Sequence, residues 1–219
     1  MLNKSEVNML NKFVYFLSFT ILLALFSSLG IAAENKGQIR DFYVGMNITE
    51  IDTNKYFFSC NNKKIKALTD YQQCLASANK LTEVNVFYND ATSEWGDVND
   101  RWLGTKIAGH PVLISIHIDT DKDIERIDVQ TDPDSRMYMK KKSFLLGNRI
   151  KSQFGSQNWR CTDKKDSDNT QVGGVIIDQL CRKDFNGFTV VTHVELFNKN
   201  INGKKNYTNA TKLSIVKTS

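Results

Sequence analysis

The stretch "VLISIHIDTDKDIERIDVQT", Val112–Thr131, decides the fold, because it predicts a β-hairpin. Apolar residues occupy every second position of its first part, which is typical of a half-buried strand: Val112, Ile114, Ile116 and Ile118. The second part, Ile124–Thr131, alternates in the same way and places Ile127 and Val129 on one face. The "TDKD" between the two parts has the composition of a turn. We therefore expect two antiparallel strands with one buried face.

The turn of this hairpin also has the spacing that begins a calcium loop, with Asp119, Asp121 and Asp123 at alternate positions. An EF-hand loop needs glycine at its sixth position and a bidentate glutamate at its twelfth. Ile124 and Gln130 stand at those two positions. The sequence therefore predicts an acidic hairpin turn here, and we predict neither a metal site nor a cofactor.

Segments on both sides of the hairpin carry further strand signals. The dipeptide Asn186-Gly187 separates two of them and is a strong signal for a two-residue hairpin turn. The predicted strands are Lys55–Cys60, Thr82–Tyr88, Val175–Arg182, Phe188–Phe197 and Thr211–Lys217. The polar residues 198–210 are predicted to connect the last two strands.

The longest helix is predicted over residues 132–155. Asp134 or Ser135 can cap its N-terminus, and Gly155 suits the position after its C-terminus. Gly147 in its interior costs about 1 kcal/mol relative to alanine, and its presence indicates close contact between helix and sheet. Apolar residues recur at helical spacing: Met139, Leu146, Ile150 and Phe154.

A second, short helix is predicted near the start of the mature chain. Asn47 can cap it, and Glu50 three residues later completes a capping box. Together with the strands, these signals predict an α+β fold: an antiparallel β-sheet with two or three helices packed on one face.

The N-terminus has the pattern of a secretory signal peptide. Lys4 and Lys12 precede the uncharged run Phe13–Ala33, and a polar stretch follows. We therefore predict a signal peptide at residues 1–33 and an exported domain at residues 34–219. The run is also nearly long enough to span a bilayer, so an uncleaved anchor is the alternative. No cysteine ends the run, which argues against a lipid anchor and leaves no stable membrane anchor after cleavage.

The exported domain is long enough for one domain or for two subdomains, residues 34–132 and 133–219. Lysine and arginine are interspersed with acidic residues, and the formal net charge is only +5. A nucleic-acid-binding protein usually concentrates its basic residues in one stripe. Here only Lys140–Lys142 form a run, which fits a solvated helix face, so nucleic acid is not a predicted partner.

The chain has four cysteines, an even number that suits an oxidising compartment. Three pairings are open, and the local one, Cys60–Cys74 with Cys161–Cys181, closes the smallest loops. Neither pair has the close spacing that zinc sites and redox motifs favour. We therefore predict two structural disulfides and a periplasmic or secreted location.

The few candidate catalytic residues do not have the spacing that catalysis requires. Ser115, His117 and Asp119 share a strand face, but same-face neighbours lie about 6.6 Å apart, too far for a nucleophile and its base. The other histidines, His110 and His193, belong to no metal or catalytic motif. An enzyme, for example a hydrolase, would need acids and His117 or His193 to converge only in the fold.

Several short motifs resemble those of a loose class of small exported bacterial proteins, most without an assigned activity. They are "GMNITEI", "IAGHPVLISIHIDTDKDIERIDVQ" and "NRIKSQFG", within residues 39–155. The "GM" helix start is also similar to that of the small outer-membrane assembly lipoprotein and of the β-lactamase inhibitor protein. Both are helix-plus-sheet modules that bind other proteins. The resemblance implies export and an α+β fold, and it carries over no functional residue.

The polar loop from Asn89 to Pro111 contains two tryptophans, Trp95 and Trp102. Long loops that carry aromatic residues are candidates for binding, although the same tryptophans could anchor the loop to the core. The leading hypothesis is a non-enzymatic exported protein that binds another protein or an envelope component, with Trp95 and Trp102 as contact residues. The alternative is a periplasmic hydrolase-type enzyme.

Overall fold

Thirteen strands build the described part of a computed structural model, which covers residues 36–61, 63–74, 80–88, 105–164, 168–201 and 203–218. The predicted signal peptide, residues 1–33, lies outside these residues. None of the helices in the described ranges is both long and apolar enough to cross a membrane.

In chain order the first seven strands are β1 (Gln38–Ile39), β2 (Phe42–Tyr43), β3 (Tyr56–Cys60), β4 (Lys63–Ile65), β5 (Thr82–Tyr88), β6 (Thr105–Ile107) and β7 (His110–Ile118). The other six are β8 (Ile124–Thr131), β9 (Arg160–Asp163), β10 (Asn169–Thr170), β11 (Ile177–Phe185), β12 (Phe188–Ile201) and β13 (Lys204–Lys217).

Strands β1 and β2 pair with each other, and the others form one antiparallel sheet. The order across the sheet is β4-β3-β5-β7-β8-β13-β12-β11-β9, with β6 beside β7 and β10 beside β12. Because β8 pairs with β13, the sheet is continuous across residue 132. Residues Asn35–Ser219 cluster as one compact unit.

The hairpin predicted from Val112–Thr131 is confirmed as β7 and β8, at the centre of the sheet. Its alternating apolar residues are almost fully buried, as predicted: Val112, Ile114, Ile116, Ile118, Ile127 and Val129. Buried residues of β3, β5 and β13 join them in one hydrophobic core. The alternation in the sequence therefore marks the core face of the sheet.

The hairpin predicted at Asn186-Gly187 is also confirmed, because Phe185 pairs with Phe188 and Gly187 has a positive φ of 81°. Its second strand and the last strand are much longer than predicted. β12 continues to Ile201 and β13 begins at Lys204, so residues 198–201 and 204–210 are paired strand and not a polar connection. The two strands satisfy each other's backbone groups, so that end of the hairpin needs few apolar side chains.

The predicted long helix is broken into two pieces, α1 (Met137–Lys140) and α2 (Leu145–Gln153). The predicted capping by Asp134 or Ser135 is wrong: Arg136 precedes α1 and makes no capping bond with its side chain. The C-terminal prediction is confirmed, since Gly155 follows the last turn with a positive φ of 79°. The helical share of the fold is smaller than predicted.

Helix α2 contributes Leu146 and Ile150 to the same buried core as the strands, and Phe154, directly after the helix, joins them. A Cβ atom built on Gly147 would lie 2.3 Å from Cγ2 of Val194 on β12. A larger residue than glycine would therefore not fit between α2 and Val194 without a shift of one of them. The remaining helical pieces are 3-10 turns at Ile48–Glu50, Thr53–Lys55 and Leu68–Gln73.

The capping box predicted at Asn47 and Glu50 is present, although it starts a single 3-10 turn. The side-chain amide of Asn47 also donates, through Nδ2, to Oδ1 of Asp123 (2.9 Å) and to the carbonyl of Asp121 (3.2 Å). Asn47 therefore ties the start of the described chain to the turn between β7 and β8.

Both predicted disulfides are present, Cys60–Cys74 and Cys161–Cys181. Cys161 and Cys181 lie directly opposite each other on β9 and β11, so the second bond crosses the base of that strand pair. Cys60, Cys74 and Cys181 are buried, whereas Cys161 is exposed. Two disulfides fit a protein of an oxidising compartment.

Candidate functional site

The candidate site is the face of the sheet opposite the core, which we call the open face. It is formed by the side chains of β3, β5, β7, β8, β13 and β12 that alternate with the buried ones. Most of these side chains are polar and half-buried, among them Ser115, His117, Asp128, His193 and Ser214.

Three neighbouring apolar side chains stand together on this mostly polar surface: Phe57, Phe87 and Leu113, which we call the apolar patch. Phe57 lies directly opposite Phe87 on the neighbouring strand. Leu113 follows on the third strand, one residue before Ile114, which pairs with Val86. Phe57 is 46% exposed and Leu113 is 38% exposed. Lys64 lies over the ring of Phe57 at 4.6 Å from its centroid, so a cation borders the patch.

Sequence reasoning missed the apolar patch, although two signals were available. Leu113 occupies an outward position of an alternating strand, where a polar residue is usual. The consecutive pair Phe57-Phe58 in β3 requires one of the two rings to point away from the core. Only the pairing of three strands that are distant in sequence shows that these outward residues are neighbours.

Trp95 and Trp102, the predicted binding residues, lie outside the described residues. The described chain stops at Tyr88 and resumes at Thr105. The backbone N–H of Tyr88 donates to Oγ1 of Thr105 at 3.1 Å, so the two ends of this loop are adjacent. Tyr88 directly follows Phe87, which places both ends of the loop at the edge of the apolar patch.

The centre of the open face is a hydrogen-bonded network around Asp128. Its Oδ2 lies 2.8 Å from Nε2 of His117, and its Oδ1 accepts from Nε of Arg126 (2.9 Å) and Oγ of Ser214 (2.5 Å). Burial alone would raise the pKa of Asp128, but the hydrogen bonds from His117, Ser214 and Arg126 outweigh it. The pKa of Asp128 is therefore below its ordinary value, and the carboxylate is charged at neutral pH.

This lowered pKa predicts acid-sensitive stability. Because the pKa of Asp128 is lower in the folded than in the unfolded chain, its contribution to stability is complete only above about pH 5. It is lost as the pH falls through the folded value. We expect Asp128→Asn to lower the free energy of unfolding by about 2 kcal/mol at pH 7, since hydrogen bonds to a charged group are lost.

Urea unfolding at pH 7, 5, 4 and 3 measures this effect in the wild type and in Asp128→Asn. The difference between the two proteins should shrink on acidification, as protonation removes the charge from the wild type. Asp134→Asn, at an exposed position, is the matched control and should change little. A difference that stays constant down to pH 3 would contradict the role of the charged carboxylate.

A second cluster surrounds His193 on β12. Nε2 of His193 lies 2.7 Å from Oδ1 of Asp178, and Nδ1 lies 4.0 Å from Oε2 of Glu195, which pairs with Lys212 at 3.0 Å. Asp178 also lines a cleft of about 350 Å³, whose walls include the polar Asp163 and Asn169 and the apolar Ile176 and Ile177. His193 is not among the described residues that line this cleft. The imidazole is thus held by carboxylates on the sheet surface.

The two histidine clusters do not converge. Between β7, which carries His117, and β12, which carries His193, lie the strands β8 and β13. Three strand spacings and an offset of four residues along β12 separate the two residues by about 19 Å. Burial and the nearby Arg149 and Lys142 lower the pKa of the third histidine, His110. Within the described ranges, no group of three or more histidine, cysteine, aspartate or glutamate side chains could hold a metal ion.

The serine, histidine and aspartate that alternate on β7 and its turn are engaged separately. Oγ of Ser115 donates to Oδ1 of Asn85 at 2.8 Å, and His117 contacts Asp128. Oδ1 of Asp119 accepts from the backbone N–H groups of Asp121 and Asp123, both at 2.9 Å. Asp119 therefore closes the hairpin turn, as expected for an acidic turn.

Comparison with known proteins adds no relative to this picture. No protein-family model, curated protein or solved structure matches the chain.

Proposed function

We propose that this chain is an exported protein, periplasmic or secreted, that binds another protein through the apolar patch and the adjacent loop. The observation that carries the proposal is the exposure of Phe57 and Leu113 on a mostly polar sheet face. Exposed apolar clusters on soluble proteins mark interaction surfaces more often than isolated apolar residues do.

The composition of the region agrees with a protein interface. Its centre is aromatic and aliphatic, and its border is charged, with Lys64 at 4.6 Å from the ring of Phe57. Trp95 and Trp102 belong to the loop whose ends lie at Tyr88 and Thr105. Tryptophan is enriched among the residues that contribute most to binding. We propose both tryptophans as further contact residues.

The export part of the proposal rests on the N-terminal pattern and on the two disulfides. N-terminal sequencing of the protein recovered from the envelope or medium tests it directly. We expect a mature chain that begins near residue 34. A chain that still begins near Met1 would instead support an uncleaved anchor.

The binding part is tested by the double variant Phe57→Ser with Leu113→Ser, assayed by crosslinking in the exporting cell and mass spectrometry. Both side chains are substantially exposed, so we expect the fold to remain while partner capture falls at least tenfold, the equivalent of one Leu-sized contact. Ile176→Ser removes an apolar side chain of similar exposure, 45%, elsewhere on the surface and is the matched control.

A second variant, Trp95→Ala with Trp102→Ala, measures the contribution of the tryptophans to partner capture separately from that of the apolar patch. Equal capture by both double variants and the wild type would reject the proposed surface. Equal loss in the patch variant and in Ile176→Ser would indicate nonspecific adhesion and would also reject it.

A further inference from the structure

An apolar groove lies on the core face of the sheet, between α1 and the outer parts of β12 and β13. Its volume is about 540 Å³, within the usual range for small-molecule sites. The walls are Met137, Lys141, Phe144, Val172, Leu196 and Tyr207. Five of these six side chains are apolar or aromatic, and Lys141 is the only charged one among the described lining residues.

The groove exists because the last hairpin is longer than the helix that contacts it. β12 and β13 have 14 residues each and extend for about 46 Å. Helix α2 has nine residues and a length of about 14 Å. Leu196 is two residues beyond Val194, which Gly147 of α2 approaches, so Leu196 lies on the same face past this contact.

The walls of the groove are held in place by hydrogen bonds. Oδ1 of Asn209 accepts from the backbone N–H of Phe144 (2.8 Å), and Nδ2 of Asn209 donates to the hydroxyl of Tyr207 (2.7 Å). Val172 exchanges two backbone hydrogen bonds with Val175. The residue before Val172, Gln171, accepts a hydrogen bond at its carbonyl from Nδ2 of Asn198 (2.9 Å). The groove is therefore preformed, which lowers the entropic cost of binding a ligand.

Exposed apolar side chains concentrate around the groove. Met137 is 63% exposed and Tyr207 is 43% exposed, and both line it. Tyr138, beside Met137 on α1, and Leu145, beside Phe144, are exposed as well. Burying such side chains against an apolar ligand would be favourable by about 25 cal/mol per Å² removed from water.

Lys141, the one charged side chain among the described lining residues, indicates which kind of apolar ligand would fit the groove. Lys141 is exposed at the groove, in the middle of the run Lys140–Lys142. A lysine side chain can lay its alkyl stem along an apolar surface and keep its ammonium group in water. A ligand that fits both features has one apolar chain and an anionic head group.

We propose that the groove binds the acyl chain of a single-chain carboxylate amphiphile, a fatty acid, whose carboxylate pairs with Lys141. The site lies on the opposite face of the sheet from the apolar patch. It is thus independent of the proposed protein partner.

Isothermal titration calorimetry of the purified protein with dodecanoate, below its micellar concentration, tests the proposal. We expect saturable binding of one molecule. Met137→Gln should weaken the binding of dodecanoate and of dodecanol about tenfold, because both lose an apolar contact. Lys141→Glu should weaken dodecanoate about tenfold and leave dodecanol unchanged, because only the carboxylate loses its partner.

Lys142→Glu changes the same charge at a neighbouring position that is not among the lining residues, and it should leave dodecanoate binding within twofold. Equal weakening by Lys141→Glu and Lys142→Glu would mean general electrostatic attraction and would overturn the site. Absence of dodecanoate binding would overturn it too, as would binding to phosphatidylglycerol vesicles alone. The Phe57→Ser, Leu113→Ser variant should bind dodecanoate normally, so this outcome is separate from that of the proposed protein partner.

Discussion

Removal of both disulfides is expected to lower the free energy of unfolding by about 6 kcal/mol, the largest change predicted for this chain. The bonds Cys60–Cys74 and Cys161–Cys181 close loops with sequence separations of 14 and 20 residues. A disulfide that closes a loop of this size stabilises the folded protein by about 3 kcal/mol, because it reduces the entropy of the unfolded chain. Since a typical domain is stable by only about 5–15 kcal/mol, the reduced protein should be close to unfolding at 37 °C.

Urea unfolding of the oxidised protein, the reduced protein and the two paired alanine variants measures this prediction. Reduction keeps all four sulfur atoms, whereas Cys60→Ala with Cys74→Ala also removes buried atoms. The alanine pair at Cys60 and Cys74 should therefore cost slightly more than breaking the same bond chemically. An unchanged unfolding midpoint after reduction would contradict the prediction. A large loss would agree with a protein that folds in an oxidising compartment.

The central part of the fold was predictable because its physical signal is local. Val112–Thr131 alternates strictly, and the predicted second strand has the same limits as β8, Ile124–Thr131. A strand with one buried face must place apolar side chains at every second position, so the pattern reveals both the strand and its orientation. The same holds for Asn186-Gly187, where a two-residue turn needs a residue with a positive φ.

The break between α1 and α2 could not be predicted, because distant strands cause it. Oγ1 of Thr211 donates to the carbonyl of Ser143, and Oδ1 of Asn209 accepts from the N–H of Phe144. These β13 side chains satisfy backbone groups that a continuous helix would otherwise use internally. The helical periodicity of residues 132–155 therefore predicts α2 correctly. Before α2, the contacts with β13 outweigh the local preference for a helix.

The apolar patch and the groove were hidden from sequence reasoning for the same reason. Phe57 and Phe87 are 30 residues apart in sequence, and only the pairing of β3 with β5 brings them together. The groove depends on the unforeseen length of β12 and β13, whose far end is polar in sequence. The tryptophans are the aromatic signal that the sequence shows directly, and they lie outside the described residues.

The second large effect is expected from Gly147→Ala, which should destabilise the fold by about 2 kcal/mol. The new Cβ would be placed 2.3 Å from Cγ2 of Val194, well inside van der Waals contact. Overpacking of this kind costs about 3 kcal/mol, and the better helix propensity of alanine returns about 1 kcal/mol. Val194 has a β-branched side chain with one preferred rotamer, so it cannot easily move aside.

A double-mutant cycle identifies the contact. Val194→Ala alone removes Cγ2 and should cost about 2 kcal/mol by leaving a cavity. In the double variant the new Cβ of residue 147 fills that space, so we expect the two costs to be non-additive by about 2 kcal/mol. Asn148→Ala, at the next and exposed position of α2, is the helix-propensity control and should be neutral or slightly stabilising. Additive costs in the cycle would show that α2 does not approach β12 at Gly147, and the groove beyond Val194 would then lose its geometric basis.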